Sequence, residues 1–206
     1  MEIEAIAGDI TQVECEAVVV NLFDGVHDPG GATGAADVAL DGAITRLIAE
    51  GEIKGKKGEV TIIHTLGKLP PSRVVVVGLG KQKDFGPEVI RQVMGTTMRR
   101  LRNSGIENVA TVLHGAGIGN LEVEECAQAI AEGSLMGLYT FKHHFGRAQE
   151  NENVLRHLTV VEIDGSKIDT LRKALVRGVV FAEATILARD MVNEPSNFMT
   201  PTRMSE

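Results

Sequence analysis

The run Ala17-Val-Val-Val-Asn-Leu-Phe23 constrains the fold more than any other stretch. It has the length of a strand and is almost continuously apolar, so neither face is left for water. A strand of that kind is buried on both sides, as in a sheet covered by helices above and below. Val74-Val-Val-Val77 repeats the pattern. Further strand signals fall at Ile3 to Ala7, Val60 to Thr65, Val109 to Leu113 and Leu158 to Ile163. Helical spacing separates them. It runs through Leu40, Ile44, Leu47 and Ile48, then, after Pro87, through Val89, Val93, Thr97 and Leu101. A further helix carries Val123, Cys126, Ile130 and Leu138, and a long last helix starts at Asp169. This alternation predicts an α/β fold, a three-layer α/β/α sandwich around a mixed, mostly parallel sheet.

Local signals sharpen the boundaries. Asp37 lies near the start of the helix through Leu40 to Ile48, where a carboxylate suits the positive end. Val180, Ala184, Leu187 and Met191 mark one face of the last helix. Glu194 precedes Pro195, which pushes it out of the helical region, so that helix should stop near Asn193. Pro195 and Pro201 bracket a short connector with two turn-formers, Ser196 and Asn197, and a new helix start follows. Residues 139–157 read as a long polar loop.

Composition narrows the function. The chain has 206 residues and a net charge of -7, with 43% hydrophobic and 24% charged residues, which suits a globular chain of one domain plus an extension, or at most two small domains. The acidic balance argues against a nucleic-acid partner and against an anionic membrane surface. The opening is acidic rather than leader-like, and no apolar run reaches the roughly 20 residues a membrane helix needs. A cytoplasmic location is the expectation. Cys15 and Cys126 are far apart and belong to no C-x-x-C pair, so buried thiols are expected.

Three loops have the glycines an anion site would use: Gly8-Asp9-Ile10-Thr11, Gly30 to Gly34, and Gly115-Ala-Gly117-Ile-Gly119. Such loops at strand ends let backbone amides approach a ligand, and helix starts favour negative charge. The plain alternative is that they only make tight turns. The six histidines do not cluster. His64 reads as a core histidine and His114 as a loop-packing one, while His143 and His144 sit in the polar loop. Glu122, Glu124 and Glu125 read as first-turn helix acids, and Glu183 and Asp190 as surface or domain-interface groups. No H-E-x-x-H or G-x-S-x-G motif occurs, so no catalytic residue and no metal ligand is expected in this chain.

The motifs "GDIT", "AVVVN", "GGATGAADVALDGAI", "KKGEVTIIHTLGKLPPSRVVVVGLG" and "GAGIG" occur in an order that resembles the macro domain, the ADP-ribose-binding fold, over residues 8–135. The resemblance implies Asp9 near an adenine and Asn21 near a ribose. It puts Gly31 to Gly34 and Gly117 to Gly119 around a diphosphate. The segment "NLFDG" departs from the pattern, because Phe23 and Asp24 bring bulk and negative charge.

"VVVVGLGK", "AEGSLMGLYTFKHH" and "LARDMVNEPSNFMTPTRMSE" together resemble the N-terminal part of the leucyl aminopeptidase family, the cytosolic two-metal aminopeptidases. This likeness covers nearly the whole chain. It implies a macro-like, non-catalytic domain at residues 1–192 and a linker at 193–206 into a catalytic domain beyond this sequence. The parent would be a hexameric metallo-exopeptidase that removes N-terminal amino acids from peptides. Its two divalent metals, manganese or zinc, would sit in that further domain, and the family's "NTDAEGR" run does not occur here. This chain alone is expected to bind no cofactor and to be inactive, with its own C-terminal domain as partner. A free-standing module for ADP-ribose or a related nucleotide is the alternative.

Overall fold

The structure, a computed structural model, describes residues 1–115, 121–141 and 154–205. Its strands are β1 (Glu2–Ala7), β2 (Ala17–Phe23), β3 (Val60–His64), β4 (Arg73–Gly80), β5 (Asn108–Val112) and β6 (His157–Glu162). Its helices are α1 (Gly31–Ala39), α2 (Ala43–Ala49), α3 (Pro87–Asn103), α4 (Val123–Leu138), α5 (Ile168–Asn193) and α6 (Pro201–Met204). Among the described residues the strands form one six-stranded sheet in the order β1-β6-β5-β2-β4-β3. Every neighbouring pair is parallel except β3 with β4. The expected mixed, mostly parallel α/β/α sandwich is what forms.

The apolar run in β2 is explained by two cores. Val19 points into one with Val75, Val77 and Val109, under α3, α4 and α5. Val18 and Val20 point into the other with Val74, Val76 and Ala110, under α1 and α2. Period-2 alternation therefore serves two apolar layers, and each fully buried valine contributes roughly 1.5–3 kcal/mol.

On one side of the sheet the helices approach very closely. A Cβ on Gly133 of α4 would lie 2.5 Å from the Arg91 carbonyl oxygen of α3. One on Gly178 of α5 would lie 2.7 Å from the Gln128 carbonyl oxygen of α4. Only glycine lets these backbones pass at that separation.

Three expectations are corrected. The single helix around Leu40 to Ile48 is two helices, broken where Asp41 and Gly42 take φ of 54° and 76°. Asp37 is not at a helix start but in the last turn of α1, buried, and it caps the next helix. Its Oδ1 accepts from the Ile44 and Thr45 amides at 2.7 and 3.0 Å, and its Oδ2 from the Thr45 hydroxyl at 2.5 Å. The electrostatic reason given from sequence holds, for α2, the helix that carries Ile44, Leu47 and Ile48. His64 is exposed rather than in the core, because β3 is the antiparallel edge strand and His64 is its last residue, opposite Arg73.

The last helix stops at Asn193 as the Glu194-Pro195 pair predicts. A turn follows, with the Phe198 amide donating to the Pro195 carbonyl at 2.8 Å, and Thr200 caps α6 through the Arg203 amide. The Val180, Ala184, Leu187 and Met191 face points away from the core. The buried face of α5 is Ile168, Leu171, Ala174, Leu175, Gly178 and Ala182. Residues 142–153, including His143 and His144, lie outside the described residues.

Candidate functional site: a cleft at the strand ends

Because β1, β6, β5 and β2 run parallel, their C-terminal ends open on the same side, and the loops after them meet there. They enclose a cavity of about 490 Å³. Asp9, Asn21 and Gly31, from three of the expected positions, all line it. Gly34 does not. It lies one turn into α1, where a Cβ would come within 2.5 Å of the Pro29 carbonyl oxygen, so it is needed for tight packing of the preceding loop. Gly117 and Gly119 lie outside the described residues.

Each side chain is held by its local structure. Asp9 Oδ1 accepts from the Thr11 amide at 2.9 Å and the Thr11 hydroxyl at 2.8 Å, closing a short turn that starts at Ile10. Helix α1 begins with Gly30 and Gly31 and no side-chain cap, and Gly31 has φ of 55°. Its first amides lack helical partners by geometry, and they favour an anion or a dipole's negative end. Thr33 is buried and its hydroxyl donates to the Asn21 carbonyl at 2.6 Å, tying α1 to the end of β2.

The Asn21 side chain is committed beneath the cleft. Its amide nitrogen lies 2.9 Å from His114 Nδ1. An amide nitrogen only donates, so Nδ1 accepts and the ring proton sits on Nε2. That nitrogen lies 3.0 Å from Thr111 Oγ1, whose own proton goes to the Val112 carbonyl at 3.3 Å. His114 is fully buried, and burial pushes its pKa down to about 4. It is a neutral packing residue, as expected. Sequence reasoning noticed His114 and Asn21 separately but not their pairing across 93 positions.

The apolar part of the cleft includes Ile10, Phe23, Val112, Leu113 and Val161. Phe23 meets Phe85 edge-on, with centroids 5.1 Å apart and planes at 84°. Phe85 also packs where a Cβ on Gly115 would be, 2.5 Å away. Among the described residues the charged side chains lining the cavity are Asp9 and Glu162. Of the described residues, backbone amides rather than a cation would meet an anionic ligand there.

Cys126 is buried and Cys15 half-buried, and burial raises their pKa to about 12 and about 11. Asp190 accepts from the Tyr139 hydroxyl. Among the described residues no three His, Cys, Asp or Glu side chains come together to hold a metal ion. The described residues thus do not fit the two-metal centre that the family likeness implies for the parent. No described helix is long and apolar enough to cross a membrane.

A six-stranded sheet of this order, covered on both faces and with a ligand-sized cleft at its strand ends, defines a macro-type α/β/α domain. The Trypanosoma brucei macrodomain in complex with ADP-ribose has the same fold, with a TM-score of 0.64 at 17% identity over 84% of this chain and 68% of that one. The family model described as "Cytosol aminopeptidase family, N-terminal domain" matches residues 19–144. This chain belongs to that family.

A probable cytosol aminopeptidase of Alkaliphilus metalliredigens is 33% identical over 207 residues, covering 100% of this chain and 41% of the relative. The chain therefore spans about two fifths of that relative's length. A tomato leucine aminopeptidase mutant superposes with a TM-score of 0.77 at 20% identity, over 98% of this chain and 40% of the other. The bottromycin maturation enzyme BotP in complex with Mn gives 0.65 at 24% identity, over 91% and 34%.

Proposed function

We propose that this chain is the non-catalytic N-terminal domain of a metal-dependent leucyl aminopeptidase. The observation that carries this reading is the match to an N-terminal-domain family over residues 19–144, with relatives more than twice as long. The longer protein would act in the cytoplasm as a hexamer and remove N-terminal amino acids from peptides. Two divalent metals, manganese or zinc, would activate water and polarise the scissile carbonyl. The manganese bound by BotP supports a metal-dependent relative. Residues 1–192 would form the domain and 193–206 the linker, which the end of α5 at Asn193 supports. The test is hydrolysis of leucine p-nitroanilide with added manganese or zinc. The longer protein encoded by the gene should turn it over and the 206-residue chain should not. Turnover by the shorter chain that survives repurification, or none by the longer one, sinks the reading.

A second reading concerns the cleft: an adenine nucleotide, with the base at Asp9, the ribose near Asn21 and the phosphates over Gly31 at the start of α1. Its support is that Asp9, Asn21 and Gly31 line one cavity. Calorimetry with ADP-ribose decides it, and no heat at about millimolar ligand rules it out.

A further inference from the structure

The sheet order gives the cleft at the strand ends two unlike halves. Strands β1 and β6 bring the acids. Ala7 lies opposite Glu162 in register, and the Gly8 amide donates to the Glu162 carbonyl at 3.1 Å. Asp9 and Glu162 therefore leave neighbouring strand ends, and both line the cavity. Strands β5 and β2 bring an apolar wall of Val112, Leu113 and Phe23. Leu113 and Phe23 are buried, so that wall is part of the packed interior.

Each carboxylate keeps one oxygen uncommitted. The Glu162 side chain is only 11% exposed, yet it reaches the cavity. Its Oε1 accepts from the Asp164 amide at 3.1 Å and lies 4.0 Å from Lys167 Nζ, which stands closer to Asp164 at 3.6 Å. Asp9 gives its Oδ1 to Thr11. Among the described residues neither Glu162 Oε2 nor Asp9 Oδ2 has a hydrogen-bond donor. Ionised carboxylate oxygens only accept, and they bind most strongly to a donor that is itself a cation. No described cation lines the cavity. A phosphate placed beside this pair would be repelled, whereas an ammonium group would find two partners.

The far side of the cleft asks for the opposite charge. Helix α1 follows β2 and starts at Gly31 without a side-chain cap, so its first amides need acceptors. Strand β5 stands between β6 and β2, which separates the acids from that helix start by two strand spacings, roughly 10 Å. An extended peptide advances about 3.3–3.6 Å per residue, so about three residues cover the distance. A cavity of about 490 Å³ is in the range of such a ligand.

We propose that the cleft binds a short apolar peptide by its free amino end. The ammonium group lies between Asp9 and Glu162, the side chains lie against Phe23 and Leu113, and a carbonyl or carboxylate oxygen meets the first amides of α1. Glu162 is the residue that selects the amine. The proposal does not rest on the aminopeptidase reading. It competes with the nucleotide reading for one cavity, and the charge of the described lining favours the peptide.

Calorimetry on the 206-residue chain at neutral pH tests it with trileucine, N-acetyltrileucine and ADP-ribose. Trileucine should give saturable heat at about millimolar concentration. Acetylation removes the positive charge and should weaken binding at least about tenfold. Glu162→Gln should weaken trileucine by about tenfold, leave the acetylated peptide unaffected and keep the melting temperature. Asp9→Asn, which retains an oxygen for the Thr11 turn, is the second variant and should act in the same direction. Absence of heat with trileucine overturns the proposal. So does equal binding of the two peptides, or trileucine binding at full strength by both variants. Heat from ADP-ribose alone assigns the cleft to the nucleotide and overturns it as well.

Discussion

The Tyr139 hydroxyl donates to Asp190 Oδ1 at 2.8 Å, joining residues 51 positions apart and fastening the end of α5 to the end of α4. Desolvation first, and then this bond to Asp190, raises the phenol's pKa. The protonated form is thus favoured in the fold, so the contact is present below the ordinary tyrosine pKa and is lost as pH rises through the raised one. Replacing Tyr139 with Phe should leave the unfolding midpoint nearly unchanged while amides from Leu187 to Asn193 exchange faster. Exchange at the wild-type rate would mean the end of α5 is held by something else.

Asp37 joins α1 to α2, and its carboxylate satisfies two amides and a hydroxyl. Asp37→Ala should cost about 2–3 kcal/mol, the sum of a lost cap and a buried Ile44 amide left without its acceptor. Asp37→Asn keeps one acceptor oxygen and should cost less. Urea denaturation gives both values, and an alanine variant within about 0.5 kcal/mol of wild type contradicts the capping role.

His114 sets a pH dependence. Its folded pKa, near 4, lies below the ordinary 6.5, so the fold favours the neutral ring. Its contribution is fully present above pH 6.5. It shrinks as pH falls from there towards 4, because the unfolded chain binds a proton that the folded chain refuses. The full loss is about 3 kcal/mol. His114→Gln, measured by urea midpoints across that range, should flatten the curve by a similar amount. An unchanged curve would assign the acid sensitivity to carboxylates instead.

Gly133→Ala should force α3 and α4 apart, because the new Cβ meets the Arg91 carbonyl oxygen at 2.5 Å and Arg91 Cα at 2.6 Å, both backbone atoms. The expected cost is about 1–3 kcal/mol. Gly86→Ala is the control: nothing lies within 4 Å of a Cβ there. Thermal melts of the pair should separate by several degrees, and equal melting temperatures would refute the close-crossing account.

Sequence legibility follows physical range. The limits of β2 were readable because both its faces are apolar, and the end of α5 because a proline forbids the next turn. Periodicity alone could not tell which apolar face of α5 is inside, since that depends on what packs against it. The break between α1 and α2 was hidden because the apolar spacing from Leu40 to Ile44 runs on across the left-handed pair Asp41 and Gly42, and because the capping carboxylate comes from the preceding helix. His64 was misread because an antiparallel edge strand leaves its last residue to water. In the cleft, the glycine loops announced themselves locally. The Asn21–His114 contact and the seating of Phe85 against Gly115 arise only when distant strands and loops come together.

The sheet order also sets a timetable. Among the described residues β1 is bonded to β6 alone, so Glu2–Ala7 pair with His157–Glu162, which are made much later. At roughly 5–20 residues per second a ribosome leaves that first strand unmatched for on the order of ten seconds. Glu2 and Glu4 alternate with its apolar residues, and charges so placed discourage an idle strand from pairing with a neighbour's. Two acids on β1 thus guard a strand whose partner has not yet been synthesised.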